Sequence, residues 1–365
     1  MVESTPLTQG SSAGTVSPAP LLDVQDAQKN YQVSSGFFGQ NKHTLRALDG
    51  VSIQLQLGKT LGVVGESGCG KSVTAFSILQ LVEKPGRIVS GQVLFHRKDG
   101  EIVDLVKMGT RGREIRHVRG GEISMIFQEP MVSLSMMHTI GDQISEAILL
   151  HQKVSKAEAS RLAVEMLGKV GIPRPEERVN AYPFQLSGGM RQRAMIAMAL
   201  VCRPALLIAD EPTTALDVTT QAQILELMND LQKELGMAIM IITHNLGVVA
   251  ETCQEVIVMY LGEIVEHAPV NQLFHDPLHP YTQALLKSIP VLGRSKQGKL
   301  DPISGAVPDP YNPPTGCPFH PRCPFFDGEK CEKVVPPLTY FNDGTAAACH
   351  PVIRQRGTEI LRDVV

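Results

Sequence analysis

Gly65-Glu66-Ser67-Gly68-Cys69-Gly70-Lys71-Ser72 follows the apolar run Thr60-Leu-Gly-Val-Val64 and opens onto a stretch with helical spacing. G-x-x-x-x-G-K-S at a strand-to-helix turn is a phosphate-binding loop. Its glycines let successive backbone N–H groups turn toward phosphate oxygens, and the helix that follows adds its positive end. Lys71 is expected to reach the β- and γ-phosphates of a nucleotide and the Ser72 hydroxyl to bind Mg²⁺, with Val73 completing the nucleotide-binding set. A merely structural glycine turn would tolerate Lys71 and Ser72 without requiring them.

Four further motifs lie along the rest of the chain. Leu206-Leu-Ile-Ala-Asp210-Glu211 is a buried-strand pattern that ends in two carboxylates, placed where open α/β sheets bind ligands. Asp210 is expected to hold Mg²⁺ through its water shell, and Glu211 to polarise the water that attacks the γ-phosphate. Beside the phosphate loop this reading outweighs a solvated acidic turn before Pro212. Gln128 follows the strand pattern of residues 123–127, where its amide can ligand Mg²⁺ or orient water. His244 follows Ala238–Ile242 and Thr243 and is expected to hydrogen-bond the γ-phosphate from a strand end. Ser187-Gly188-Gly189 opens a helix, so its hydroxyl and N–H groups form an anion site without a lysine. As a second phosphate-binding helix start in a chain that already has one, it implies ATP shared between two subunits; by itself it would be a simple N-cap.

The organisation around these motifs is α/β. Short apolar, β-branched runs read as strands at residues 21–24, 51–55, 60–64, 91–95 and 123–127. Residues 140–151, 155–170 and 187–201 read as helices, giving a helical subdomain over about 130–203. Strands return at 205–209 and 238–242 around a helix over 220–235, as a parallel sheet requires. The expected division is a disordered tail over 1–20, a nucleotide-binding domain over 21–290 and a small Cys/Pro-rich extension over 291–365.

The 365 residues carry a formal net charge of −3, which gives no electrostatic reason to expect a nucleic-acid partner. No apolar run approaches the length of a membrane span, and the start lacks a signal-peptide layout. A chain soluble by itself on the cytoplasmic side is expected, with any membrane role supplied by partner subunits. Seven cysteines argue against a disulfide framework. Cys317, Cys323, Cys331 and Cys349 crowd the last fifth of the chain; thiolates so grouped can bind an iron–sulfur cluster or zinc, although the gaps match neither a paired C-x-x-C zinc site nor a ferredoxin run.

The ordered set resembles the nucleotide-binding subunits of ABC transporters. In that family's terms residues 65–72 match the Walker A loop, Gln128 the Q-loop, 186–190 the signature, Asp210 and Glu211 the Walker B end, Ala215-Leu-Asp217 the D-loop and His244 the switch histidine. Met190 stands where Gln is usual, outside the Ser-Gly-Gly contacts. Within the family the chain resembles the ATPase subunits of dipeptide/oligopeptide importers and their nickel-importing relatives. Gln128-Glu-Pro-Met-Val-Ser-Leu134, His279-Pro-Tyr-Thr-Gln-Ala-Leu-Leu286 and Gly316-Cys-Pro-Phe-His-Pro-Arg-Cys323 carry that resemblance.

The resemblance implies ATP and Mg²⁺ as cofactors and Tyr31 as the residue that stacks on adenine, with Phe37 and Phe38 as competitors. It implies Asp217 at the dimer seam and a structural 4Fe-4S cluster on the four tail cysteines, zinc being the alternative. It also implies a place at the cytoplasmic face of a bacterial inner membrane. The partners would be two transmembrane permease subunits, an extracytoplasmic solute-binding protein and a second ATPase subunit, a paralogue or a second copy. A non-transport ABC ATPase acting on DNA or ribosomes is the competing class; it would normally bring a basic surface, a coiled-coil insertion or two cassettes in one chain.

Overall fold

The computed structural model describes residues 19–35, 41–81, 84–129, 133–214, 216–289 and 303–360. Nearly all of the expected N-terminal tail, Phe37, Phe38 and Ala215 lie outside the described residues.

Two sheets carry the architecture among the described residues. The first is antiparallel, in the order β2-β1-β4-β5, built from β1 (Leu22–Ser35), β2 (Asn41–Leu55), β4 (Gly86–His96) and β5 (Ile102–Asp104). The short apolar runs expected at 21–24 and 51–55 are the inner ends of two much longer strands. Their outer halves, such as Gln25-Asp-Ala-Gln-Lys-Asn30, are polar and interrupted by register shifts around Ala27, so they lack the strict alternation that marks a strand in sequence.

The second sheet runs β11-β12-β10-β9-β3-β8-β7-β6. Its parallel part comprises β9 (Glu255–Tyr260), β3 (Thr60–Val64), β8 (Ala238–Ile242), β7 (Leu206–Asp210) and β6 (Ile123–Ile126). Every residue of β3, β7 and β8 is buried, which explains their continuous apolar sequence. Beyond β9 the sheet turns antiparallel through β10 (Glu263–Pro269) and ends in two short strands from the C-terminal region, β11 (Thr339–Tyr340) and β12 (Ala346–Ala347).

The helices Ile140–His151, Lys156–Lys169 and Gly188–Leu200 share one apolar core through Ile144, Ile148, Ala163, Leu167, Ala197 and Leu200. Sequence placed them to within a residue or two because their start signals are explicit. Thr139 and Asp142 form a capping box, and Ser155 and Ser187 each accept a backbone N–H three residues on. Among the described residues no helix is long and apolar enough to cross a membrane.

Candidate active site at the carboxyl edge of the parallel sheet

The chemistry-bearing loops meet because four parallel strands end in register. Ile126 lies beside Ala209, Asp210 beside Ile242, and Ile242 beside Val63. Gln128, Glu211, His244 and the phosphate loop therefore all leave the sheet at one edge, the edge at which parallel sheets bind ligands.

The phosphate loop is shaped by positions only glycine can fill. Gly65 has φ 150°, and a Cβ there would lie 2.3 Å from the Met259 carbonyl oxygen; at Gly70, φ 106°, it would lie 2.8 Å from the Ala47 carbonyl oxygen. Gly70 is the N-cap of the helix Lys71–Ile78 and brings no side-chain cap. The first-turn N–H groups are thus not capped by that residue, a cradle that fits phosphate. Buried Lys71 folds back over the loop, its Nζ donating to the carbonyl oxygens of Gly65 and Glu66 at 2.9 Å each. Cys69 beneath it is buried, which pushes its thiol up.

Asp210 and Glu211 occupy different environments. Burial raises the Asp210 carboxyl, opposed by a hydrogen bond from Ser72, and its Oδ1 has no hydrogen-bond partner. An orphaned buried carboxylate oxygen beside the Ser72 hydroxyl is a donor set that fits Mg²⁺. Glu211 sits in the left-handed region at φ 48°, an uncommon conformation for a side chain of its size. Its Oε2 accepts from Gln128 Nε2 and Thr214 Oγ1, both at 2.9 Å, and its Oε1 lies 2.9 Å from His244 Nδ1. Burial pushes this carboxyl up, but the His244 and Thr214 hydrogen bonds prevail and hold it below the usual carboxylate range.

Ser187, Gly188 and Gly189 open the helix Gly188–Leu200, with Ser187 Oγ accepting from Met190 N at 3.3 Å. Four residues into that helix buried Gln192 donates to the Pro212 carbonyl, tying the helix to the turn that carries Glu211. Asp217, expected at a subunit seam, is the N-cap of the helix Val218–Leu235 and accepts from Thr220 N at 2.9 Å. Tyr31 lines a broad, open cavity of about 1110 Å³ together with Val73, Phe76, Arg119 and Phe127. Lys29 Nζ lies 4.9 Å from the centre of the Tyr31 ring.

The metal reading of the C-terminal cysteines is corrected. Among the described residues no group of three or more His, Cys, Asp or Glu could hold a metal ion, so neither a 4Fe-4S cluster nor zinc is placed on Cys317, Cys323, Cys331 and Cys349, which are free. Ligation needs several donor atoms converging on one point, and the described residues bring together no such set. Cys317 belongs instead to the apolar core, as free cysteines commonly do.

Several site residues went unread in the sequence. Thr214 reaches Glu211 from the turn after Pro212. Arg322, in the cysteine-rich tail, makes a two-pronged ion pair with Glu66 of the phosphate loop, Nη1 to Oε2 at 2.7 Å and Nη2 to Oε1 at 3.1 Å. Tyr281 accepts the Glu66 backbone N–H at 2.8 Å. The signals were there, a lone arginine in an apolar Cys/Pro run and a tyrosine one position into a Pro-started helix, but neither carries a spacing rule that points 215 or 256 residues back along the chain.

A phosphate cradle at the end of β3, with an orphaned carboxylate beside Ser72 and a polarised Glu211 at the end of β7, defines an ATP-hydrolysing cassette that works with ATP and Mg²⁺. The ABC transporter family model matches residues 48–214, and the model of the oligopeptide/dipeptide transporter C-terminal region matches residues 265–331. A probable peptide ABC transporter ATP-binding protein of Sinorhizobium fredii is 54% identical over 330 residues, covering 90% of this chain and 94% of that protein. The dipeptide transport ATP-binding protein of Escherichia coli is 44% identical over 332 residues, 91% of this chain and 99% of that one. Among solved structures, a bacterial ABC transporter cassette in dimeric form aligns with TM-score 0.57 at 25% identity, over 68% of this chain and 98% of that chain. The chain belongs to the family of ATP-binding proteins of peptide ABC transporters.

Proposed function

We propose that this chain is the ATP-hydrolysing subunit of a bacterial importer for dipeptides or oligopeptides, peripheral on the cytoplasmic face of the inner membrane. In this reading it works with two transmembrane permease subunits, an extracytoplasmic solute-binding protein and a second ATPase subunit. The convergence of Gln128, Thr214 and His244 on Glu211 carries the catalytic part. The cargo assignment rests on relatives described as peptide and dipeptide transport proteins and on the family match over residues 265–331. Nickel, opines and oligosaccharides are the other cargoes of this importer type.

Magnesium-bound ATP supplies the scissile phosphoanhydride bond and a divalent charge to offset its phosphates. Residues 65–72, with Lys71 and the helix N-terminus, bind and orient the triphosphate, and Ser72, Asp210 and Gln128 would hold the metal. Tyr31 would stack on the base, in the cavity it lines with Val73. Glu211 is the general base, its carboxylate kept ionised and aimed by Thr214 and His244, so that it can take a proton from water near neutral pH. Ser187, Gly188 and Gly189 would close on the ATP of a second subunit, with Asp217 at the seam; dimeric cassettes among the similar structures support this reading.

Reconstitution in vesicles with two permease subunits and a solute-binding protein of a peptide importer tests the assignment. ATP-dependent uptake of labelled dipeptide with ATPase activity stimulated by the binding protein is expected. Stimulation by nickel or an oligosaccharide instead would replace the cargo, and recovery of ribosomal or DNA-bound partners would replace the transport reading.

A further inference from the structure

The phosphate loop is held from outside by the C-terminal quarter of the chain, and every polar group of one residue, Glu66, is engaged. Its N–H donates to Tyr281 Oη at 2.8 Å, its carbonyl accepts from Lys71 Nζ at 2.9 Å and from Cys69 N at 3.3 Å, and its carboxylate takes both prongs of Arg322. The Arg322 side chain is only 3% exposed, against 26% for Glu66. Two more Arg322 donors are used as well, Nε on the Ser304 carbonyl at 3.1 Å and Nη1 also on Tyr260 Oη at 3.3 Å. A guanidinium held on three sides is a fixed clamp, because its planar fork defines the direction of the carboxylate it grips.

The clamp is itself anchored. Buried Glu266 accepts the N–H groups of Leu278 and His279 at 2.8 and 2.7 Å, which fixes the start of the helix Pro280–Lys287. The His279 ring, held neutral by burial, accepts Tyr281 N at 3.1 Å. The Tyr281 ring then packs against Tyr260 and Phe319, with centroids 4.8 and 5.4 Å away. None of these hydrogen bonds reaches Glu211, whose side-chain partners are Gln128, Thr214 and His244, yet the chain of contacts ends on the residue that follows Gly65.

We infer that Arg322 and Tyr281 are positioning residues for ATP binding, holding the Glu66 backbone so that the glycine-rich loop meets phosphate already in its binding shape. The inference rests on the reading of residues 65–72 as the ATP site. A loop with glycines at positive φ loses much conformational freedom when it closes on a ligand, and fixing it beforehand removes part of that cost. The effect falls on affinity, since neither residue touches the carboxylate that acts on water.

The test uses the full-length protein, titrated with a fluorescent ATP analogue and assayed for phosphate release. Arg322→Gln should raise the KM for ATP about fivefold with a smaller change in kcat, and Arg322→Lys should fall between it and wild type. Tyr281→Phe, which removes one oxygen and keeps the ring packing, should weaken ATP binding independently, and it carries the test if Arg322→Gln does not fold. Glu66→Gln combined with Arg322→Gln should be no worse than the poorer single variant, because both break one interaction. Wild-type affinity in Tyr281→Phe, or losses that multiply in the double variant, would overturn the inference. If wild type itself did not bind ATP, or Lys71→Ala bound it as tightly, the failure would lie with the ATP site and not with the clamp.

Discussion

Asp210 and Glu211 are chain neighbours with opposite electrostatic settings: the first is raised by burial with one oxygen unpartnered, the second is lowered by donors on both oxygens. The change to φ 48° at Glu211 takes the second carboxylate out of strand geometry. Two adjacent acids can thereby divide the work of holding a cation and taking a proton.

Replacing Glu211 with Gln should leave ATP affinity near wild type and cut the steady-state turnover at least a hundredfold, in keeping with loss of a general base. Nucleotide titration and phosphate release on one preparation decide it. Normal turnover would remove Glu211 from its role.

Thr214→Val should lower turnover by about tenfold or less, because one hydrogen bond to a charged group is lost while Gln128 and His244 still grip Glu211. The measurement is kcat at saturating ATP, with the midpoint of chemical unfolding as control. An unchanged kcat would mean that the hydroxyl does not orient the carboxylate.

Glu266 gives a pH prediction that is independent of catalysis. Burial raises its carboxyl from 4.5 to about 7. Between these values the folded state binds more protons than the unfolded one, so stability from this group is full below about 4.5 and is lost as pH rises through about 7. The loss is at most roughly 3 kcal/mol. Urea unfolding at pH 5, 6, 7 and 8 should give a falling curve for wild type and a flatter one for Glu266→Gln. Equal slopes would place the titration elsewhere, with Glu263, also raised to about 7, the first alternative.

Phe319→Ala should destabilise the protein by about 3–5 kcal/mol, as expected for an aromatic truncated in a packed core. The ring is buried between Tyr260, Tyr281 and His279, at centroid distances of 5.3, 5.4 and 5.7 Å. Denaturant titration measures the loss; a value below about 1 kcal/mol would mean that the region repacks freely.

What could be read from sequence was what obeys local rules. The phosphate loop, the buried strands β3, β7 and β8 and the capped helices Ile140–His151, Lys156–Lys169 and Gly188–Leu200 announce themselves through spacing, continuous apolar runs and Thr or Ser caps. The outer halves of β1 and β2 did not, because their sequence is polar and bulged. In the site, Glu211 was legible from a strand ending in acids, whereas Thr214, Tyr281 and Arg322 act through contacts that only tertiary structure creates. The tail cysteines misled for the complementary reason: grouping in sequence does not say whether the side chains converge as a ligand set in space, and among the described residues they do not.

The separation of 256 positions between Glu66 and Arg322 also sets a clock. At about 5–20 residues per second, a ribosome needs roughly 13–50 s to deliver the guanidinium after the carboxylate has been made. Throughout that interval the nascent loop has its glycines and its lysine but no grip from the far end of the chain. The edge of β10 likewise waits for Ala346 and Ala347. An unpaired strand edge is an invitation to wrong partners, so β10 stays open to mispairing until residues 346–347 have been made.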